Sequence, residues 1–122
     1  MIIVNADNSI YLTRGDTVAF SVSATFDNVP YEFQPGDVVC LRVFGKKNCE
    51  NVVFQKDFPV YSNTEEIQII LTEDETRIGE IIDKPTDYWY EIELNPDDHP
   101  QTIIGYDENG AKVFKLFPEG KD

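Results

Sequence analysis

Apolar and polar residues alternate with period two along most of this chain, in short runs separated by Gly, Pro, Asn and Asp. In the segment TVAFSVSATF, Val18, Phe20, Val22 and Ala24 share one side, with Thr17, Ser21 and Ser23 opposite. A strand with one dry and one wet face belongs to an antiparallel sheet. In VVCLRVF, Val39, Leu41 and Val43 make the uniform face and leave Cys40 and Arg42 on the other; in EIQIIL, Ile67, Ile69 and Leu71 fall together. The pattern predicts strands over residues 10–13, 17–25, 38–44, 52–58, 66–71, 88–94, 102–106 and 112–117, with 2–4 as a short edge strand.

The connectors carry their own signals. FDNVPYEFQPGD reads as a connection of turn-formers between two strands, with Pro35-Gly36 placing a fixed φ beside a residue that tolerates positive φ. Asn109-Gly110 predicts a type I′ hairpin. At Gly15-Asp16, between IYLT and TVAF, glycine supplies backbone freedom and aspartate can cap a nearby N–H, so the chain can leave one sheet and pair in another. Thr72 followed three residues later by Glu75 has the form of a capping box, which predicts one helical or 3₁₀ turn before Gly79. Together these elements predict an all-β fold: a single domain over 1–122, built as an immunoglobulin-like antiparallel β-sandwich of seven to nine strands with one short helical turn.

Composition narrows the function classes. At 122 residues, with eight Phe, six Tyr and one Trp, the chain has material for one sizeable core. Ten Lys and Arg stand against 23 Asp and Glu, a net charge of −13, which argues against binding to nucleic acid or anionic membrane surfaces. The opening MIIVNADNSI lacks the basic flank and apolar length of a signal peptide, and no run is long enough for a membrane-spanning helix. The expectation is a protein made in the cytoplasm. Cys40 and Cys49 are too few for a metal centre; if the two strands around GKKNCEN form a hairpin, Cys40 lies opposite a residue near Lys56, so two free thiols are expected.

Candidate chemistry is sparse. His99 lies in NPDDHPQ, a polar loop between two prolines, without a nucleophile in view. The carboxylates fall mostly at turns, where Asp caps its own backbone, and DENG at 107–110 is too short for a calcium loop. No catalytic, cofactor-binding or metal-ligating residue is assigned, and no cofactor is expected. The strand DYWYEIEL is the most informative: Tyr88, Tyr90, Ile92 and Leu94 alternate with Trp89, Glu91 and Glu93. Trp89, Glu91 and Glu93 on the wetter face are the candidate interface residues, since Trp is favoured as an interface anchor. Tyr88 is a candidate for a tyrosine corner.

The ordered set IYLTRGDTVAFSVSA, YEFQPGDVVCLRVF, IQIILTEDETRIG, DYWYEIEL and GYDENGAKVFKLFPEG resembles the Ig-like module of bacteriophage and prophage tail proteins, best known as the N-terminal domain of the baseplate upper protein family. The resemblance spans nearly the whole chain. It implies a non-enzymatic virion structural protein, an accessory or adaptor subunit of a tail or baseplate that docks onto other tail proteins, often as a homo-oligomer. The chain ends at FPEGKD where baseplate upper proteins continue into a helical or fibre region, which counts against a receptor-binding distributor. RGD at 14–16 is treated as a turn. The alternative from the residues themselves is a carbohydrate-binding or adhesin-type β-sandwich module using aromatic side chains such as Trp89 and Tyr106.

Overall fold

The computed structural model describes residues 1–120. Among these residues eleven strands run in chain order: β1 (Ile2–Val4), β2 (Ile10–Thr13), β3 (Val18–Val22), β4 (Ala24–Phe26), β5 (Val29–Tyr31), β6 (Val38–Phe44), β7 (Val52–Pro59), β8 (Ile67–Leu71), β9 (Thr86–Leu94), β10 (Gln101–Ile104) and β11 (Lys112–Phe117). The fold is all-β, and its sheets do not close into a barrel. Among the described residues no helix is long and apolar enough to cross a membrane.

Seven strands form the large sheet, in the order β1-β2-β11-β9-β6-β7 with β10 also on β9. Its pairings are antiparallel except β2 with β11, which is parallel. β3 and β8 pair in a second sheet, and β4 and β5 form a small hairpin. The dry faces foreseen from the alternation meet in one core. Ile10 and Leu12, Val39, Leu41 and Val43, Tyr90, Ile92 and Leu94, and Phe114 and Leu116 come from the large sheet; Val18, Val22, Ile69 and Leu71 come from the second. Phe33, fully buried, joins them from the loop after β5. Burial of so many branched and aromatic side chains is the main favourable term for such a fold.

The corner at Gly15-Asp16 performs the sheet change that the sequence suggests. Gly15 has φ +87°, its N–H donates to Thr76 Oγ1 at 2.9 Å, and the Asp16 carbonyl accepts from the same hydroxyl at 2.8 Å. Thr76 is fully buried, so one hydroxyl fixes the crossing from β2 to β3 against the chain that follows β8.

That following chain corrects one expectation. The capping box exists: Thr72 N donates to Glu75 Oε1 at 2.9 Å, and Glu75 N donates to Thr72 Oγ1 at 3.3 Å. Yet residues 73–76 form only a turn and no helical segment follows among the described residues. After the single bond from Thr76 N to the Thr72 carbonyl, Arg77 N reaches Asp74 and the Thr76 side chain turns to the Gly15-Asp16 corner. Gly79 (φ +69°) then takes the backbone out of helical space. Glu75 also accepts from Lys56 of β7 at 2.7 Å, and Lys56 donates to the Ile70 carbonyl at 2.9 Å, which clips the rim of the large sheet to β8.

The strand count also exceeds the expected seven to nine. The predicted 17–25 strand breaks at Ser23 into β3 and β4, and the connection read as turn-formers supplies β5. Asp27 (φ 52°) and Asn28 (φ 62°) make the two-residue connection between β4 and β5, both in left-handed space that Asn and Asp tolerate. Gln34-Pro35-Gly36-Asp37 is the expected turn, closed by Asp37 N to the Gln34 carbonyl at 3.0 Å with Gly36 at φ +95°.

Asn109-Gly110 is not a type I′ hairpin. Gly110 has φ +93°, whereas Asn109 stays out of the left-handed region, and the closing bonds join Asp107 and Gly110 around Glu108 and Asn109. Asp107 Oδ1 accepts the Asn109 N–H at 2.9 Å and sits 2.8 Å from Lys112 Nζ, so the aspartate locks the ordinary turn followed by glycine. Nor do β10 and β11 pair with each other. β6 occupies one edge of β9, while β10 (opposite Leu94 to Ile92) and β11 (opposite Tyr90 to Thr86) follow one another along its other edge. They are one interrupted strand from which residues 105–111 are extruded.

A polar hub sits where β6 begins and β9 ends. Asp37 Oδ2 accepts from Tyr31 Oη at 2.7 Å and Gln34 N at 3.0 Å, and its Oδ1 accepts from Asn95 Nδ2 at 3.0 Å. Asn95 Oδ1 in turn accepts Val38 N at 2.8 Å. Burial opposes the Asp37 charge, but the bonds from Gln34, Tyr31 and Asn95 outweigh it and hold the carboxyl below its ordinary value. The same bond to Asp37, with burial second, pushes Tyr31 up to about 12.

Candidate functional site on the outer face of the large sheet

Strand register fixes which side chains share the face away from the core. Trp89 lies between Phe44 of β6 and Val113 of β11; Glu91 lies beside Arg42, which lies beside Gln55 of β7; Glu93 lies beside Cys40, which lies beside Asp57. The alternation read from DYWYEIEL therefore holds: Tyr90, Ile92 and Leu94 are buried, and Trp89, Glu91 and Glu93 are half-buried on the outer face.

The three candidate residues differ in their surroundings. Arg42 Nη1 donates to Glu91 Oε1 at 3.1 Å and Glu93 Oε1 at 3.0 Å, and its Nε donates to Gln55 Oε1 at 3.3 Å. Partial desolvation of Arg42 works against its charge, but the bonds to Glu93 and Glu91 raise its pKa above the ordinary value. The two glutamates are thus committed to a guanidinium of their own chain. Beside Glu93 on the same face Cys40 is fully buried; desolvation, with a bond to Asp57 second, pushes its thiol up to about 12. Cys40 and Cys49 are unpaired, and Cys40 faces Asp57, one position from Lys56.

Trp89 instead looks into a cleft of about 460 Å³. It shares that cleft with Asp87 from its own strand, Asp7 from the β1–β2 turn, Lys47 from the β6–β7 loop, and Tyr106 and Asn109 from the extruded segment. Asp7 Oδ1 accepts from Ser9 Oγ at 2.6 Å and Ser9 N at 2.9 Å, which holds its carboxyl below the ordinary value. Asp87 Oδ1 lies 3.6 Å from Lys115 Nζ. Tyr106 is 69% exposed. Among the described residues, the paired aromatic rings are Tyr11–Phe117, Phe26–Tyr31, Tyr31–Phe33 and Tyr90–Phe114, so neither Trp89 nor Tyr106 stacks on another ring. Sequence reasoning named Trp89 and Tyr106 but had no means to place Asp7, Lys47 and Asn109 beside them, because they arrive from separate loops.

The other candidates stand apart. His99 is fully at the surface with Nδ1 2.7 Å from Asp98 Oδ1. Tyr88 ends with its hydroxyl over Gly79, where an added Cβ would lie 2.5 Å from Oη; the long-range tyrosyl bond to backbone is made by its neighbour Tyr90, which donates to the Asn8 carbonyl. Arg14 of the RGD triplet is buried, with Nη2 donating to the Gly79 carbonyl at 3.2 Å. Among the described residues no three His, Cys, Asp or Glu side chains gather as a metal site would require. Comparison with family models, with curated proteins and with solved structures finds no match to this chain.

Proposed function

We propose that the two sheets form an immunoglobulin-like sandwich and that the chain is a non-enzymatic structural subunit of a phage or prophage tail or baseplate, working by docking onto other tail proteins. The strand distribution supports the sandwich: β11-β9-β6-β7 against β3-β8 follows the partition of G, F, C and C′ against B and E in immunoglobulin domains. The motif resemblance supports the tail setting. The observation that carries the docking role is the outer edge of β7. This is the longest strand but β9, one edge pairs with β6, and no strand pairs with the other among the described residues. Val52 and Val53 at its start are exposed at 50% and 37%. Such an edge presents open backbone donors and acceptors to an incoming strand, and protein partners use that mode widely.

Mass spectrometry of density-banded particles from the encoding cell is the direct test. The proposal expects this chain in fixed ratio to tail proteins, and expects Gln55→Pro, which removes a backbone N–H and stiffens the strand, to deplete it from particles. A chain absent from purified particles would refute the assignment.

A further inference from the structure

We propose that the Trp89–Tyr106 cleft is a binding site for a neutral oligosaccharide. A pyranose ring offers an apolar C–H face and a rim of hydroxyls, so its site needs exposed aromatic surface next to groups that both donate and accept hydrogen bonds. The cleft has this mixture: two rings free of aromatic partners, with the carboxylates of Asp87 and Asp7, the amide of Asn109 and the ammonium of Lys47 around them. The described contacts engage only one oxygen of each carboxylate, Asp7 Oδ1 with Ser9 and Asp87 Oδ1 with Lys115. Its volume of about 460 Å³ lies within the range of small-ligand sites, roughly 300–1,000 Å³.

The occupant follows from the polar groups. An apolar protein side chain seated here would strip water from charges of both signs without replacing those bonds, which is costly. Sugar hydroxyls replace them and leave the C–H face for the rings. Two carboxylates in the cleft and a net charge of −13 disfavour acidic sugars, hence a neutral ligand. A second hollow of about 480 Å³, lined by Lys47, Asn48 and Tyr106, shares two residues with the first. Tyr106 therefore borders both spaces, and a ligand of several linked rings fits better than a single one. This inference does not depend on the tail assignment, which concerns the β7 edge.

Trp89 is the only tryptophan of the chain, so its fluorescence reports on the cleft alone. The probes are cello-, malto-, manno- and chito-oligosaccharides, titrated in millimolar excess into the full chain while emission and acrylamide quenching are recorded. At least one series should shift the emission and shield Trp89 from acrylamide. Tyr106→Ala should weaken that affinity by about tenfold or more, and Asp87→Asn by several-fold, with the urea midpoint of both variants kept as a check on folding. No effect of any series overturns the proposal; so does binding that Tyr106→Ala leaves intact. Shielding that grows with protein concentration and without sugar overturns it too, because it makes the cleft a contact between copies. A chain present in virions that binds none of these sugars would refute this site and spare the docking role.

Discussion

Replacing Asp37 with alanine tests how the start of β6 is held to the end of β9. The carboxylate accepts from Tyr31 Oη, Gln34 N and Asn95 Nδ2 at 2.7, 3.0 and 3.0 Å. A hydrogen bond to a charged group contributes about 1.5–3 kcal/mol when well buried. Asp37 is half-buried, so water recovers part of each loss, and Asn95 keeps its bond to Val38 N. The expected cost is therefore about 2–4 kcal/mol, less than three full charged bonds. In urea the midpoint should fall by about 1 M or more with an unchanged slope, since the change in exposed surface on unfolding stays the same. Tyr31→Phe alone should cost about 1 kcal/mol, and the double variant should cost less than the sum, because both remove the same bond. The pH dependence supplies a second check. A carboxyl held below its ordinary 3.8 stabilises the fold above that value and loses its contribution as pH drops through the lower folded value. The gap between the natural chain and Asp37→Ala should accordingly close on acidification below about pH 4. A midpoint unchanged at pH 7, or a gap that persists in acid, would refute the account of the hub.

Three further outcomes are expected. Gly79→Ala places a Cβ 2.5 Å from Tyr88 Oη at φ +69°, so it should lower stability by about 1–3 kcal/mol in a urea titration, and Tyr88→Phe should relieve part of that loss. Towards a thiol reagent near pH 8, half-buried Cys49 should react in the native state, whereas Cys40, fully buried with its thiol pushed up to about 12, should react only on unfolding; equal rates would contradict the packing. Phe114→Ala, at a fully buried position packed edge-on to Tyr90, should cost about 3–5 kcal/mol in chemical denaturation.

The strands that period-two patterning made legible are those with one face in the core, such as β8, β9 and β11, because burial enforces alternation over several residues. β5 escaped it because three residues are too short to alternate visibly, and β4 was legible only as the end of a longer 17–25 strand. The Thr72–Glu75 box was read correctly as a local bond pattern and wrongly as a helix start, since the deciding partner of Thr76 lies 60 residues earlier, at Asp16. The candidate trio on β9 was placed on the right face. Its division was invisible: whether a glutamate is free or held depends on Arg42 across a strand boundary, and register is not written in spacing alone.

The interruption between β10 and β11 has a consequence for how this molecule can change. Because the chain departs from one edge of β9 and rejoins it further along, the intervening stretch can lengthen, shorten or be exchanged without shifting any paired residue on either side. Core packing and register would be inherited intact, while Tyr106 and Asn109, which ride on that stretch, would be redrawn. Grafting a foreign peptide there should yield a folded chain with new surface chemistry, which makes this the natural place for diversification, by selection or by hand.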